Sequence, residues 1–198
     1  MGIENDRAIC TPESRKRNFT NEGGYEYRFR YLKNIMGLWM IQSVRHELED
    51  KYSFARLCEM AEKESDFPSR VDVNDDAFLA PENMTEAIRT YCKKHGWKEP
   101  ETVGQIAAVI YQSLADSYAE TVREIESLTG RHLEAVNIVG GGSNAAYLNQ
   151  LTADKSGRTV YAGPGEATAI GNLAVQMLKD NQFAGLAQVR ACIYEYFG

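Results

Sequence analysis

A glycine-rich turn is the clearest place in this sequence where a ligand could bind. Residues 135–139 form a compact apolar run, and a helical stretch to about Ser156 follows the turn. The turn itself consists of Gly140, Gly141, Gly142, Ser143 and Asn144. Consecutive glycines let the backbone approach a ligand closely, and amides at a helix start can bind phosphate. The unit favours a phosphate, ribose or adenine site, although a tight turn without a ligand gives the same pattern.

The turn differs from the two common nucleotide fingerprints. It lacks the spacing G-x-G-x-x-G, and no Gly-Lys-Ser/Thr follows it. A dinucleotide site also needs an acidic residue about 20 residues further on, at a strand end. That window holds residues 159–162, which include no acid. A Rossmann-type dinucleotide site is therefore excluded.

Two amides, Asn34 and Gln42, flank the most apolar part of the chain, residues 35–41. The pattern predicts one helix from Leu32 to about Glu49, with its first half buried on every side. Buried amides need hydrogen-bond partners, which are either neighbouring groups or a ligand. Eight residues separate the two amides, so on a helix they could serve different parts of one cleft.

The sequence indicates no catalytic residue and no metal site. Four cysteines and three histidines are scattered without a CxxC pair, and no Ser-His-Asp or Cys-His arrangement is evident. Residues 72–76 resemble the start of a calcium loop, but Ala77 and Asn83 replace the glycine and glutamate that such a loop requires. We predict a solvated loop with helix-capping acids there.

Local signals predict the elements that position these residues. Thr102 and Gln105 have capping-box spacing at the start of the longest helix, which should run about 40 Å to Gly130. The other predicted elements are a loop over 18–24, a strand over 25–31, helices over 53–64 and from Pro81 to Gly96, a strand over 159–162 and a helix over 166–178. The small residues Ala167, Ala169 and Gly171 favour close packing of that last helix against a partner.

Composition narrows the class of protein. The chain has 198 residues, 43% of them hydrophobic, and a formal net charge of -6. This acidic balance disfavours nonspecific binding to nucleic acid or to anionic membranes. Scattered cysteines and the lack of a signal peptide or a long apolar stretch predict a cytoplasmic protein.

Five segments in the same order resemble the FGGY carbohydrate kinases, and together they span residues 1 to about 178. The segments are Asn18–Gly24, Leu32–Trp39, Ile138–Asn144, Leu148–Asp154 and Ala162–Asn172. The resemblance implies an actin-like, ribonuclease H-like α/β domain over residues 1–198, with a short central mixed sheet, flanking helices and a helix-rich insertion in its middle. It also implies that the chain is the C-terminal, nucleotide-binding domain of a two-domain kinase.

The resemblance further implies ATP and Mg²⁺ as cofactors and L-rhamnulose as the sugar, phosphorylated on O1. By the same resemblance, Gly140, Gly141, Gly142 and Asn144 line the nucleotide site. Gln42 then approaches the nucleotide and Asn34 approaches the sugar.

Other features of the family pattern have no counterpart in these residues. Met1–Glu4 resembles the residues that follow a phosphate-binding hairpin, and neither that hairpin nor the N-terminal domain with the catalytic aspartate is present. We therefore expect the chain to be inactive alone and to self-associate through the exposed interdomain face around residues 166–178. The alternatives are a kinase of a related ketose and a non-catalytic actin-like module that binds nucleotide or a partner.

Overall fold

The computed structural model describes residues 1–197, which contain five strands and eight α-helices. The strands are β1 (Gly2–Asn5), β2 (Phe19–Gly23), β3 (Phe29–Lys33), β4 (Ala135–Ile138) and β5 (Thr159–Ala162). The helices are α1 (Pro12–Lys16), α2 (Trp39–Glu47), α3 (Phe54–Lys63), α4 (Met84–Lys94), α5 (Val103–Thr129), α6 (Ala146–Ser156), α7 (Ala167–Lys179) and α8 (Leu186–Phe197). None of the helices in these residues is long and apolar enough to cross a bilayer.

Helix α5 is the longest element and lies at the centre of the core. Its first turn is capped by Thr102, whose hydroxyl accepts from the Gln105 amide at 3.2 Å, and it ends at Gly130 with φ +69°. Both ends were predicted, and both are confirmed. Almost every residue from Gly104 to Ala115 is buried, because α3 and α6 pack against this half of the helix.

The helix-rich middle of the chain is confirmed, since no strand lies between β3 and β4. Helix α3 is capped by Ser53, and α4 is capped by Asn83, whose side-chain oxygen accepts from the Glu86 amide at 2.7 Å. The buried stripe of α4 consists of Met84, Ile88 and Cys92, which follow one another at four-residue spacing. The helix begins three residues after Pro81 because the Asn83 cap sets its first turn.

The first sheet is antiparallel with strand order β1–β3–β2, and it differs from the prediction of a loop over 18–24 and a strand over 25–31. Residues 19–23 are a strand, whereas Tyr25–Tyr27 is a 3-10 turn joining it to β3. Glu26 and Tyr27 in this turn have left-handed backbones, with φ 54° and 59°, so the turn departs from regular 3-10 geometry. Alternating aromatic residues carry no signal of such a turn, which explains the error.

The helix predicted from Leu32 begins only at Trp39. Lys33 belongs to β3 instead, because it exchanges two backbone hydrogen bonds of 2.9 Å with Met1. A left-handed Gly37, with φ +63°, then interrupts any helical path before α2. Residues 34–38 are therefore a loop between a strand and a helix.

The second sheet consists of β4 and β5 in parallel, so the five strands form two small sheets where the resemblance implied one mixed sheet. A cavity of about 660 Å³ separates β1 from β4. Helix α8 contacts both sheets: Arg190 pairs with Glu4 of β1 at 2.9 Å, and Tyr194 meets Tyr161 of β5 edge to face.

Glu126, near the end of α5, binds two segments at once: the residues that lead into β4 and the residue before β5. Its carboxylate accepts from the Leu133 amide at 2.8 Å and from the Arg158 guanidinium at 2.9 Å, and His132 lies 3.2 Å away. The Leu133 amide and the Arg158 guanidinium hold the pKa of Glu126 below its usual range. A carboxylate with a lowered pKa stabilises the fold above its unfolded pKa of about 4.3, and this stabilisation is lost as pH falls through the folded pKa.

We expect Glu126→Gln to lower the free energy of unfolding by about 1 to 2 kcal/mol at pH 7, since a charged acceptor is replaced by a neutral one. The difference from wild type should shrink through the acid range and vanish once the native carboxylate is protonated. Urea unfolding at several pH values measures it. Glu120→Gln, an exposed site on the same helix, is the control and should have no effect. A Glu126→Gln deficit that persists unchanged in acid would contradict this role.

Candidate functional site

The glycine turn Gly140–Asn144 is a single 3-10 turn between β4 and α6. Gly140 has φ +73°, a left-handed conformation that side chains disfavour, so glycine is required there. The Ser143 hydroxyl donates to the Gly140 carbonyl at 2.8 Å and closes the turn on itself. The strand–turn–helix order predicted from the sequence is confirmed, with α6 beginning at Ala146.

Three contacts from outside hold the turn in place. The Gly140 amide donates to the Pro164 carbonyl at 3.0 Å, and the Gly163 amide donates to the Ile138 carbonyl at 2.9 Å. From the first turns of α6, the Asn149 side-chain amide donates to the Ser143 carbonyl at 2.9 Å. The turn is therefore fixed both to the loop after β5 and to the first turns of α6.

The outer side of the turn is open. Gly141 and Asn144 are exposed, and a Cβ atom added at Gly141 would meet no atom within 4 Å. Ala145 occupies the capping position before α6, and its methyl side chain accepts no hydrogen bond. The backbone N–H groups of the first helical turn therefore have no side-chain acceptor at this position. An open glycine turn beside an uncapped helix start suits an anion.

Asn34 and Gln42 do not lie where the sequence predicted them. Both side chains are exposed, and they belong to different elements, Asn34 to the loop after β3 and Gln42 to α2. The prediction of two buried amides on one helix is wrong because pairing with Met1 keeps Lys33 in a strand and Gly37 breaks the helical path.

The structure nevertheless brings the segment containing these amides to the glycine turn. A methyl carbon of Leu38 would lie 3.9 Å from a Cβ at Gly142, and the backbone N–H of Gln42 donates to the Leu38 carbonyl in the first turn of α2. Asn34 lines the cavity between β1 and β4 together with Val139, the residue before the turn. Asn34 therefore lies at the cavity beside Val139, and Gln42 lies one helical turn beyond Leu38.

Asn149 and Pro164 hold the turn, and sequence reasoning gave neither of them a role. Asn149 is buried beside Leu148 and Thr152 in α6, and its side-chain oxygen has no hydrogen-bond partner among residues 1–197. A polar residue on the buried stripe of a helix was the available signal for Asn149. Pro164 carried no comparable signal, because its contact with Gly140 crosses 24 residues.

Two tyrosines near the site stay protonated at neutral pH. Burial raises the pKa of Tyr118 to about 12, and burial also raises the pKa of Tyr147, against the lowering effect of its hydrogen bond with Gln112. Neither phenol is suited to accept a proton from a substrate hydroxyl at neutral pH.

Within residues 1–197, no three His, Cys, Asp or Glu side chains group closely enough to hold a metal ion. The loop at 72–76 is held by Asp72 and Asp75, which accept from backbone amides, as predicted.

Helix α7 presents an uncovered face beyond the loop that contacts the glycine turn. None of its residues is buried, and Leu173, Val175 and Met177 are 60%, 47% and 41% exposed. A Cβ atom at Gly171 would meet nothing within 4 Å. The predicted exposure of this apolar helix with small residues is confirmed.

Comparison with known proteins identifies the family of this chain. The sequence profile of the FGGY family of carbohydrate kinases, C-terminal domain, matches residues 1–179. The rhamnulokinase of Halalkalibacterium halodurans is 47% identical over 197 residues, which cover 100% of this chain and 42% of the relative. The rhamnulokinase of Bacillus subtilis is 43% identical over 197 residues, which cover 100% of this chain and 41% of the relative. The chain thus spans about two fifths of the length of the curated relatives it matches.

The profile match extends from the first strand through α7 and includes every element that builds the glycine turn. The chain belongs to the FGGY family of carbohydrate kinases, and it has the actin-like fold of that family's C-terminal domain.

Proposed function

We propose that this chain is the nucleotide-binding part of a rhamnulokinase, which transfers a phosphoryl group from ATP to O1 of L-rhamnulose. The observation that carries the proposal is the glycine turn, anchored from both sides and open on its outer face. The sugar is proposed from the names of relatives that are 40% to 47% identical to this chain.

The turn supplies the features that a nucleotide site needs. Its glycines expose backbone without side chains, and the uncapped start of α6 provides amide groups and the positive end of a helix dipole. Because the turn is fixed at Pro164 and Asn149, these groups are positioned before a ligand arrives. Gly140, Gly141, Gly142 and Asn144 are the residues that we assign to the nucleotide.

The flanking amides complete the proposed site. Leu38 holds the start of α2 near Gly142, and Gln42 lies one turn further along this helix. We assign Gln42 to the nucleotide. Asn34 lies at the cavity that reaches Val139, and we assign it to the sugar. Both side chains are exposed and therefore free to turn toward a ligand.

Two parts of the reaction must come from elsewhere in this proposal. Phosphoryl transfer needs a group that takes the proton of the sugar hydroxyl, and we place it in the part of the enzyme that precedes the matched region in the relatives. Mg²⁺ would be held mainly by ATP phosphates and water, as is common for this ion, since residues 1–197 contain no three-ligand cluster. When bound, Mg²⁺ neutralises phosphate charge.

The preceding domain is the partner that we assign to the α7 face. Ala169, Leu173 and Met177 follow one another at four-residue spacing and lie on one side of α7, and the last two are exposed apolar side chains of the kind that monomeric proteins usually cover. The small side chain of Ala169 allows another element to approach this side of the helix closely, whereas Gly171 and Val175 lie on the other side. In the isolated chain the same face would join two copies.

We expect the chain to bind Mg·ATP weakly, and we expect Gly141→Val to weaken this binding by about tenfold or more, or about 1.4 kcal/mol. The branched side chain would occupy the open space beside the turn that we assign to the ligand. It should leave the fold intact, because a Cβ there meets no atom and Gly141 is outside the left-handed region. Calorimetric titration with Mg·ATP measures the affinity, and thermal unfolding checks the fold.

Gly185→Val is the matched control, since Gly185 also has open space around its Cβ but lies far along the chain, before α8. This variant should bind Mg·ATP as wild type does. Equal affinity of wild type and Gly141→Val for Mg·ATP would remove the glycine turn from the proposed site.

We expect the isolated chain to self-associate with rising concentration and Leu173→Glu to keep it monomeric, because a charge on the α7 face opposes apolar contact. Leu79→Glu is the matched control: Leu79 is 64% exposed, close to the 60% of Leu173, but lies in the loop before α4. Sedimentation velocity distinguishes the species. A wild-type chain that stays monomeric at high concentration would show that α7 is not a contact face.

A further inference from the structure

A cavity of about 840 Å³ lies between α1 and β2, and none of the residues assigned to the nucleotide or the sugar lines it. Its volume is within the range of pockets that hold small organic molecules, about 300 to 1,000 Å³. Asn21 of β2 fixes the loop before α1, because its side chain accepts from the Ile9 amide at 3.0 Å and donates to the Ile9 carbonyl at 2.9 Å. The cavity is therefore formed before a ligand arrives.

The charged side chains that line the cavity are both cationic. They are Arg15 and Lys16, and no Asp or Glu of residues 1–197 lines it. Neither cation forms an ion pair within this part of the chain, whereas the next residue, Arg17, pairs with Glu13 at 3.1 Å. In a protein with a formal net charge of -6, this wall is a local site of positive charge that suits an anion.

A chain of three hydroxyl groups presents one more donor to the cavity. The buried Tyr31 hydroxyl donates to Ser14 Oγ at 2.7 Å, and Ser14 Oγ lies 2.9 Å from Thr11 Oγ1. Because Ser14 is only 2% exposed, its own proton needs a protein acceptor, and Thr11 Oγ1 is in position to be that acceptor.

The Thr11 oxygen is then fully used as an acceptor. It accepts from the Ser14 backbone amide at 3.1 Å as well as from the Ser14 hydroxyl. A hydroxyl group has two acceptor positions and one donor, so what Thr11 has left is its proton. Thr11 is exposed and lines the cavity, and it therefore offers a donor there beside the two cations.

The rest of the wall includes an apolar part. Ile9, Pro12 and Phe19 contribute to it, and Phe19 is held in place by stacking on Tyr31 with ring centroids 4.9 Å apart. An inorganic anion held by the cations would leave this surface without a contact. The lining therefore suits an anion that carries a small organic group.

We propose that the cavity between α1 and β2 binds a phosphate monoester, whose phosphate contacts Arg15, Lys16 and the Thr11 hydroxyl while its organic group lies against the apolar wall. A phosphate monoester has a second pKa of about 6, so at neutral pH its charge approaches -2 and matches two cations. The guanidinium fork of Arg15 also suits phosphate oxygens. A carboxylate, with one charge, would leave one cation unmatched.

Phenyl phosphate is the probe, with inorganic phosphate and phenol as the two comparison ligands. Each is titrated into the full chain without nucleotide or Mg²⁺, and the backbone amide signals are followed by two-dimensional NMR. We expect phenyl phosphate to shift the signals of Thr11, Arg15, Lys16 and Thr20. Inorganic phosphate should bind about tenfold more weakly, since it buries no apolar surface, and phenol should not bind measurably.

Two substitutions of Thr11 form a matched pair, because Asp and Ser both cap helices at least as well as Thr. Thr11→Asp places a carboxylate at the phosphate position and should weaken binding of phenyl phosphate about tenfold or more. Thr11→Ser keeps the hydroxyl donor and should bind as wild type does. Thermal unfolding checks that both variants keep the fold.

A second pair of variants tests the cations. Arg15→Gln should weaken binding of phenyl phosphate about tenfold, since it removes a charge-assisted hydrogen bond. Arg123→Gln is the control, because Arg123 is also exposed but belongs to α5 and does not line the cavity. Both substitutions replace solvent-exposed side chains, so the folded chain is available for the measurement.

Four results would overturn the proposal. Equal affinity for phenyl phosphate and phenol would remove the anion, and equal affinity for phenyl phosphate and inorganic phosphate would remove the organic group. Unchanged binding by Thr11→Asp would remove the cavity between α1 and β2 as the site. Weaker binding of phenyl phosphate by Gly141→Val would assign the phosphate to the glycine turn. Because nucleotide is absent throughout, none of these results decides whether the glycine turn binds Mg·ATP.

Discussion

The close packing of other helices around α5 is the constraint on which the rest of the structure depends. Gly104 shows how tight this packing is: a Cβ atom there would lie 3.0 Å from the Met60 carbonyl of α3. Small residues along the same half of the helix, Ala107, Ala108 and Ala115, are fully or almost fully buried. Because interiors are packed as densely as crystals, a helix this enclosed acts as a fixed frame for its neighbours.

The frame positions both functional regions. Helix α6 packs along α5, where the Gln112 side-chain amide donates to the Tyr147 hydroxyl at 3.2 Å and Lys155 pairs with Asp116. These contacts fix the position of α6 on the core, and with it the position of the glycine turn that precedes α6. The far half of α5 forms the floor between β1 and β4. The helix therefore supports both the proposed nucleotide turn, through α6, and the cavity that Asn34 lines.

Elements set by local chemistry could be predicted from the sequence. Thr102 and Gly130 bracket α5, and Ser53 starts α3, because a cap acts within three or four residues. The glycine turn was found for the same reason, since three successive glycines and the flanking apolar run are adjacent in the chain. For α4 the sequence favoured Pro81 as the start, whereas Asn83 caps the helix.

Features set by distant contacts could not be predicted. The end of β3 depends on Met1, 32 residues away, and this contact turned the expected helix at Asn34 into a loop. The division into two sheets follows from the cavity between β1 and β4, which no local sequence pattern encodes. Likewise, the anchoring of Gly140 by Pro164 appears only when the two βα connections meet in space.

The most direct test of the central claim, that this chain is one part of a shared kinase site, is a fusion. Residues 1–198 are joined behind the part of the Halalkalibacterium halodurans rhamnulokinase that precedes the aligned region, and ADP release dependent on L-rhamnulose is measured for the fusion and for each part alone. The account predicts sugar-dependent turnover by the fusion and none above background by residues 1–198, since loss of a general base alone costs about 10² to 10⁴-fold in rate. Turnover by residues 1–198 alone, or a folded fusion that binds ATP but does not phosphorylate L-rhamnulose, would contradict it.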